Sequence, residues 1–146
     1  MPNPLIAQGT LNRLLGSVTI PGFPNLNITS SYMGKNFITI TFDGDFDNLI
    51  PTGTGTVTSP EPYVTATINI DILRTQPLAA AWLLQSQTLC DIGGFSVFPD
   101  TAAFPSLNFV NGIIKHMDPG PYSGTDPSTP LILQGTFNIN DNLWTL

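Results

Sequence analysis

The chain has 146 residues, 41% of them hydrophobic and only 10% charged, against roughly 25% charged in an ordinary soluble domain; that is one domain with a sizeable core, not two. Four Lys and Arg against ten Asp and Glu leave a net charge of −6, too few cations for a phosphate-binding surface, whose affinity scales with the phosphates neutralised. One Cys and one His exclude an internal disulfide and a multi-His metal site within the chain.

Met1-Pro2-Asn3-Pro4 opens without a basic region or apolar core, so a secretion signal is not expected. No apolar run approaches the roughly 20 residues of a membrane helix, so membrane insertion is not expected either. Short alternating runs between Gly and Pro predict strands. They begin with Ser17-Val18-Thr19-Ile20 and Asn25-Leu26-Asn27-Ile28-Thr29. From Phe37 to Asp43, Ile38, Ile40 and Phe42 share one face and Thr39, Thr41 and Asp43 the other. From Val64 to Ile72, Val64, Ala66, Ile68, Ile70 and Ile72 oppose Thr65, Thr67, Asn69 and Asp71. A period of two over that length is a half-buried antiparallel strand.

Between these two runs lies 44–62, rich in Pro, Gly and Thr. It reads as a long loop or as a strand extension with a flexible tip, and a connection of that length is usually functional. Thr75 to Gln87 predicts the one helix, with Pro77 in its first turn and three alanines after Leu78. Leu78, Ala81, Trp82 and Gln85 fall on one face, with Leu84 adjacent. Phe95–Phe98, Asn108–Met117 and Pro130–Asn140 complete the strands, and 118–130 is a Pro/Gly/Ser/Thr loop. The order predicts an all-β antiparallel sandwich or barrel with a single flanking α-helix.

Catalytic and metal patterns are missing. Asp43-Gly44-Asp45-Phe46-Asp47-Asn48 opens like a calcium loop, but Asn48 and Thr54 stand where Gly and Glu are required. Alternation puts Asp43, Asp45 and Asp47 on one side of an extended strand, which reads as an acidic surface and not a hydrolase dyad. His116 is the only base for a triad, and no Gly-x-Ser-x-Gly elbow accompanies it. Cys90 sits at the end of the predicted helix, away from any helix N-terminus that would activate a thiol, and reads as a small core residue. No enzymatic activity, metal or cofactor is expected.

A surface with so few charges takes its polarity from 18 Thr and 12 Asn. Depletion of Lys and Glu is a mark of interfaces, so much of this surface is expected to meet other copies or partners; the alternative is a Thr-rich β protein whose surface is simply neutral.

Four stretches resemble a known family. They are Asn3 to Leu14, Ser17 to Asn27 with Tyr32-Met33-Gly34-Lys35, Thr56 to Tyr63 with Leu73-Arg74-Thr75-Gln76-Pro77-Leu78-Ala79, and Phe137-Asn138-Ile139-Asn140-Asp141-Asn142-Leu143-Trp144. Together they span essentially the whole chain and resemble tail tube proteins of contractile-tailed bacteriophages. The helix around Trp82-Leu83-Leu84 departs from that pattern in carrying little charge.

The resemblance implies a single tail tube domain, 1–146, with an N-terminal arm over about 1–15 and a long hairpin over about 44–62. Six copies would form a ring, and rings would stack into a hollow tube inside a sheath that contracts, through which double-stranded DNA passes in transit. Implied partners are the chain itself, a tail sheath protein, baseplate and tail terminator proteins, and a tape measure protein in the lumen during assembly. The implied location is the virion tail, with assembly in the host cytoplasm. Thr39, Thr41, Asp43, Thr65, Thr67, Asn69 and Asp71 are the candidate lumen-facing residues. Asp45, Asp47, Ile50, Pro51, Thr54, Thr56 and Pro60 are the candidate ring-stacking residues of the hairpin. Leu5, Ile6, Leu11 and Trp144 are candidate contacts between subunits. Alternative readings are a tail terminator or another injection-machine component, and, from a different class, a carbohydrate-binding β-sandwich using Tyr32, Tyr63, Trp82 or Trp144 as stacking platforms.

Overall fold

The computed structural model describes residues 5–146; Met1 to Pro4, including the start of the predicted arm, lie outside the described residues. In chain order the strands are β1 Ser17–Thr19, β2 Met33–Asp43, β3 Asp47–Pro51, β4 Thr56–Pro60 and β5 Tyr63–Leu73. The helix α1, Pro77–Thr88, follows, and then β6 Asp91–Phe98, β7 Leu107–Met117 and β8 Ser128–Asn138. Six strands form one antiparallel sheet in the order β1-β6-β7-β8-β5-β2, while β3 and β4 pair only with each other.

The alternation that predicts β5 is what buries it. Val64, Ala66, Ile68, Ile70 and Ile72 all enter the core, and Leu131 and Leu133 lie across from Ile70 and Ile68 on β8. The sheet curls around this core as an open barrel. A groove separates Phe37, Ile38 and Ile40 of the border strand β2 from Val97 and Phe98 of β6, the strand that carries the short border strand β1. No strand pairing of the described residues crosses the groove, so the barrel is not closed.

Helix α1 closes the core with Leu78, Ala79 and Trp82. Leu83 and Leu84 point outward instead of joining that face. The first turn has no side-chain cap, and Pro77 removes one of the amides that would otherwise be orphaned there.

Tight packing fixes local details of the sheet. Phe95 and Phe109 stack with centroids 5.1 Å apart. A Cβ at Gly112 would strike the Phe95 ring and the Gly93 carbonyl oxygen, so the bulge in β7 requires glycine there.

Two sequence expectations are corrected. Residues 25–29 are not a strand: Pro24–Leu26 forms a 3-10 turn, and Ile28 makes a single bridge to Val18. The cause is local, since Asn27 Oδ1 accepts the Ile20 amide at 2.8 Å, a bond that replaces a ladder contact. Cys90 is exposed and not a core residue. Its thiol donates to the Ser86 carbonyl at 3.3 Å, and Ile92 takes the buried position at the start of β6.

Candidate assembly surface

Strand register assembles the predicted polar face. Asp43 lies beside Thr65, which lies beside Thr136 and then Val110. The next row runs Thr41, Thr67, Gln134, Ile113 and Asp91, and the next Thr39, Asn69, Ile132 and His116. All seven candidate lumen residues therefore share the outer face of β2 and β5, and β8 and β7 extend it. These four strands have 11 residues each. Thr67 Oγ1 donates to Asp43 Oδ2 at 2.5 Å across the β2–β5 pair.

Asp71 is the exception on this face. Its Oδ1 is buried without a partner, and its Oδ2 accepts the Asn36 amide at 3.4 Å. A Cβ at Gly34 would sit 2.6 Å from that carboxylate, so Asp71 is built into the backbone of β2 and is not a free surface charge.

The three aspartates do not line one extended strand. Gly44 turns the chain at φ +147° between Asp43 of β2 and Asp47 of β3, and Asp45 falls in the bend. Among the described residues no group of three or more His, Cys, Asp or Glu is placed to hold a metal ion.

Past Gly44 the chain leaves the barrel as a free-standing hairpin. Every residue of β3 is exposed, and β4 is exposed except for Pro60. Ile50 faces Val57 across the pair on one side, and Leu49 faces Thr58 on the other. Thr52-Gly53-Thr54-Gly55 forms the tip, closed by the Thr52 amide on the Gly55 carbonyl at 2.8 Å. The root is firmly held. The Glu61 amide donates to Phe46 O at 3.0 Å, Asn140 Nδ2 donates to both Phe46 O and Glu61 O, and Phe46 packs edge-on against Phe42. A lone two-stranded hairpin is marginal in water, and this one exposes Leu49, Ile50 and Val57.

The strand directions sort the remaining features by end. The hairpin, the 3-10 turn Asp141–Thr145 with Trp144, the loop 99–106 and the arm entering β1 all lie at one end of the sheet. Helix α1 and the loop 118–127 lie at the other. Leu5, Ile6, Leu11 and Trp144 are all strongly exposed, and the arm is tied down by the Asn12 amide on Asp100 O at 2.8 Å.

Charge follows the same division. The hairpin end holds Asp43, Asp45, Asp47, Glu61, Asp100 and Asp141 with Arg13 alone, a net −5. The helix half holds Lys35, Arg74 and Lys115 with Asp71, Asp91, Asp118 and Asp126, a net −1.

Sequence reasoning missed the hairpin's exposed Leu49 and Val57 and its Asn140 clamp. The two apolar positions stand in the sequence beside Ile50 and between Thr56 and Thr58, without an alternation that would single them out. The clamp carries no short-range signal, because Asn140 is 79 residues from Glu61. Trp82 is buried in the core and is withdrawn as a carbohydrate platform. His116 Nε2 meets Asp118 Oδ1 at 2.6 Å on the open surface.

The accessible surface totals 9610 Å², while a compact chain of 15.7 kDa exposes about 7,300 Å². No protein-family model matches the sequence, and no curated protein matches it.

Proposed function

We propose that this chain is the subunit of a hollow tube of the phage-tail kind, built from stacked rings of six copies, through which double-stranded DNA passes. The observation that carries this reading is the free-standing hairpin, which exposes apolar groups on both faces and is clamped at its root. A monomer gains nothing from such a device, whereas a neighbouring ring would bury Leu49, Ile50 and Val57 and support the strands. The excess surface of about 2,300 Å² is ample for more than one contact, since a standard interface takes about 800 Å² from each partner.

The lumen follows from the four long strands. Six copies contributing four strands each give about 24 strands at about 4.8 Å spacing. With a tilt near 40° the backbone diameter is about 48 Å, and side chains leave about 38 Å for a duplex about 20 Å across. The outer face of β2, β5, β8 and β7 would line it. That face is dominated by Thr, Asn, Gln and Asp, so phosphates find few cations to bind. The gap of about 9 Å to the wall is close to the Debye length at physiological salt, which keeps repulsion weak. A sheath, a baseplate, a terminator and a tape measure protein belong to the same proposal.

Sedimentation velocity over a hundred-fold concentration range tests the reading. Growth into species of many subunits supports it; one unchanging monomer boundary contradicts it.

A further inference from the structure

A groove of about 190 Å³ opens at the helix end between α1 and the 118–127 loop. Ala79, Ala80 and Leu83 of α1, Met117 of β7, Tyr122 and Arg74 line it. A cavity of about 150 Å³ takes a benzene ring, so this groove accommodates one aromatic side chain. Arg74 is fixed at its rim by bonds donated to Ser128 O at 3.0 Å and Asp126 O at 2.6 Å, with its guanidinium 5.4 Å from the Tyr122 ring centroid. Thr129 also lines the groove; it is 3% exposed, and its hydroxyl has no partner. That hydroxyl is shielded from the groove; the apolar walls and the fixed cation together suit an indole, the strongest cation–π acceptor among side chains.

The chain displays such a group where it cannot reach its own groove. Trp144 is 83% exposed, in the 3-10 turn that follows β8 at the hairpin end. The 11 residues of β8 separate the two ends by about 33 Å. The five-residue turn advances only about 2 Å per residue. The occupant therefore comes from a second copy. In a growing stack charge favours the same order: head to tail, the −5 end meets the −1 end, which carries three of the four cations, at every contact, whereas an alternating order sets two −5 ends together at every second contact.

We propose that Trp144 of one copy seats in the Arg74–Leu83–Tyr122 groove of the next, joining copies head to tail. This rests on the tube reading and gives its axial contact a named socket. A head-to-tail contact of this kind repeats without closing and grows along one axis.

Cross-linking tests it in a Cys90→Ser background. Thr145→Cys is placed beside Trp144, and Ala80→Cys at the groove. Under oxidation the double variant is expected to give a ladder of linked chains on a non-reducing gel, and each single variant no more than dimers. Trp144→Ala, which disturbs no core residue, is expected to raise the concentration needed for assembly at least about ten-fold, as central aromatic anchors do. Absence of the ladder, or an unchanged assembly threshold for Trp144→Ala, overturns the proposal. Electron microscopy of the same samples separates the two readings. Tubes without a ladder sink the socket and leave the tube, while a ladder without tubes keeps the socket and sinks the tube.

Discussion

Asn140 donates its side-chain amide to the Glu61 carbonyl oxygen at 2.7 Å, joining the end of β8 to the root of a hairpin that otherwise pairs only with itself. The same amide reaches Phe46 O at 3.1 Å, so one residue holds both legs. It does so from a left-handed conformation, φ +52°, which asparagine tolerates better than other non-glycine residues. This contact makes the hairpin a directed projection from a fixed corner of the barrel.

Replacing Asn140 with Ala removes both bonds and leaves a less tolerant residue at positive φ. The expected loss is about 1–3 kcal/mol of local stability. Hydrogen exchange of the 46–61 amides is expected to accelerate while the β5 and β8 amides stay protected. Equal acceleration in all of them would show that the clamp serves the whole barrel and not the hairpin.

Replacing 47–60 with a two-glycine link removes no buried side chain. The barrel is therefore expected to melt within a few degrees of the parent, because surface changes outside the core shift stability by about 0.5 kcal/mol or less. Assembly is expected to be abolished. A shortened chain that still forms long tubes would remove the hairpin from the stacking contact.

The polar face is testable through its missing cations. Thr39→Lys with Thr41→Lys adds charge at exposed positions of β2, avoiding Asp71, whose carboxylate is packed against Gly34. The parent is expected to leave duplex DNA unshifted in electrophoresis at about 50 mM salt, and the variant to retard it. That retardation should fade by about 200 mM, as phosphate binding does. Strong retardation by the parent would contradict a non-adhesive lumen.

Asp126 gives the pH dependence of the groove's outer wall. The Ser128 amide and hydroxyl, then the nearby Arg74, hold its carboxyl below the ordinary carboxylate value of 3.8. A lowered folded value means that the stabilisation is present above the ordinary value and is lost as pH falls through the lowered one. Loop 118–127 is therefore expected to stay ordered at neutral pH and to loosen only below about pH 4. NMR shifts of the loop amides over pH 7 to 2 check this; loosening between pH 7 and 5 would contradict it.

Legibility in the sequence followed the range of the interaction. β5 and the Thr face of β2 were readable because a period of two is itself the burial pattern. The excursion between two strong strands was readable from its Pro, Gly and Thr as a loop or a strand extension, without its pairing of β3 with β4, and α1 was readable from its alanines and Pro77. The exposure of Leu83 and Leu84 was not, since their neighbour on the helix depends on how the sheet curls. Cys90 was misplaced because it falls in the short link between the end of α1 and the start of β6, outside both elements, while Ile92, inside β6, turns to the core. Residues 25–29 alternate like a strand, yet a single Asn27 side-chain bond and Pro24 turn them aside. The polar face was legible as a face, and its pairing into rows with Thr136, Gln134 and Ile132 required the register of β8.

Negative-stain electron microscopy of the purified, unmodified protein at high concentration tests the central claim most directly. Hollow tubes with six-fold end views and a lumen near 38 Å, wide enough for a duplex, are the predicted result. A field of dispersed single subunits at every concentration would contradict it.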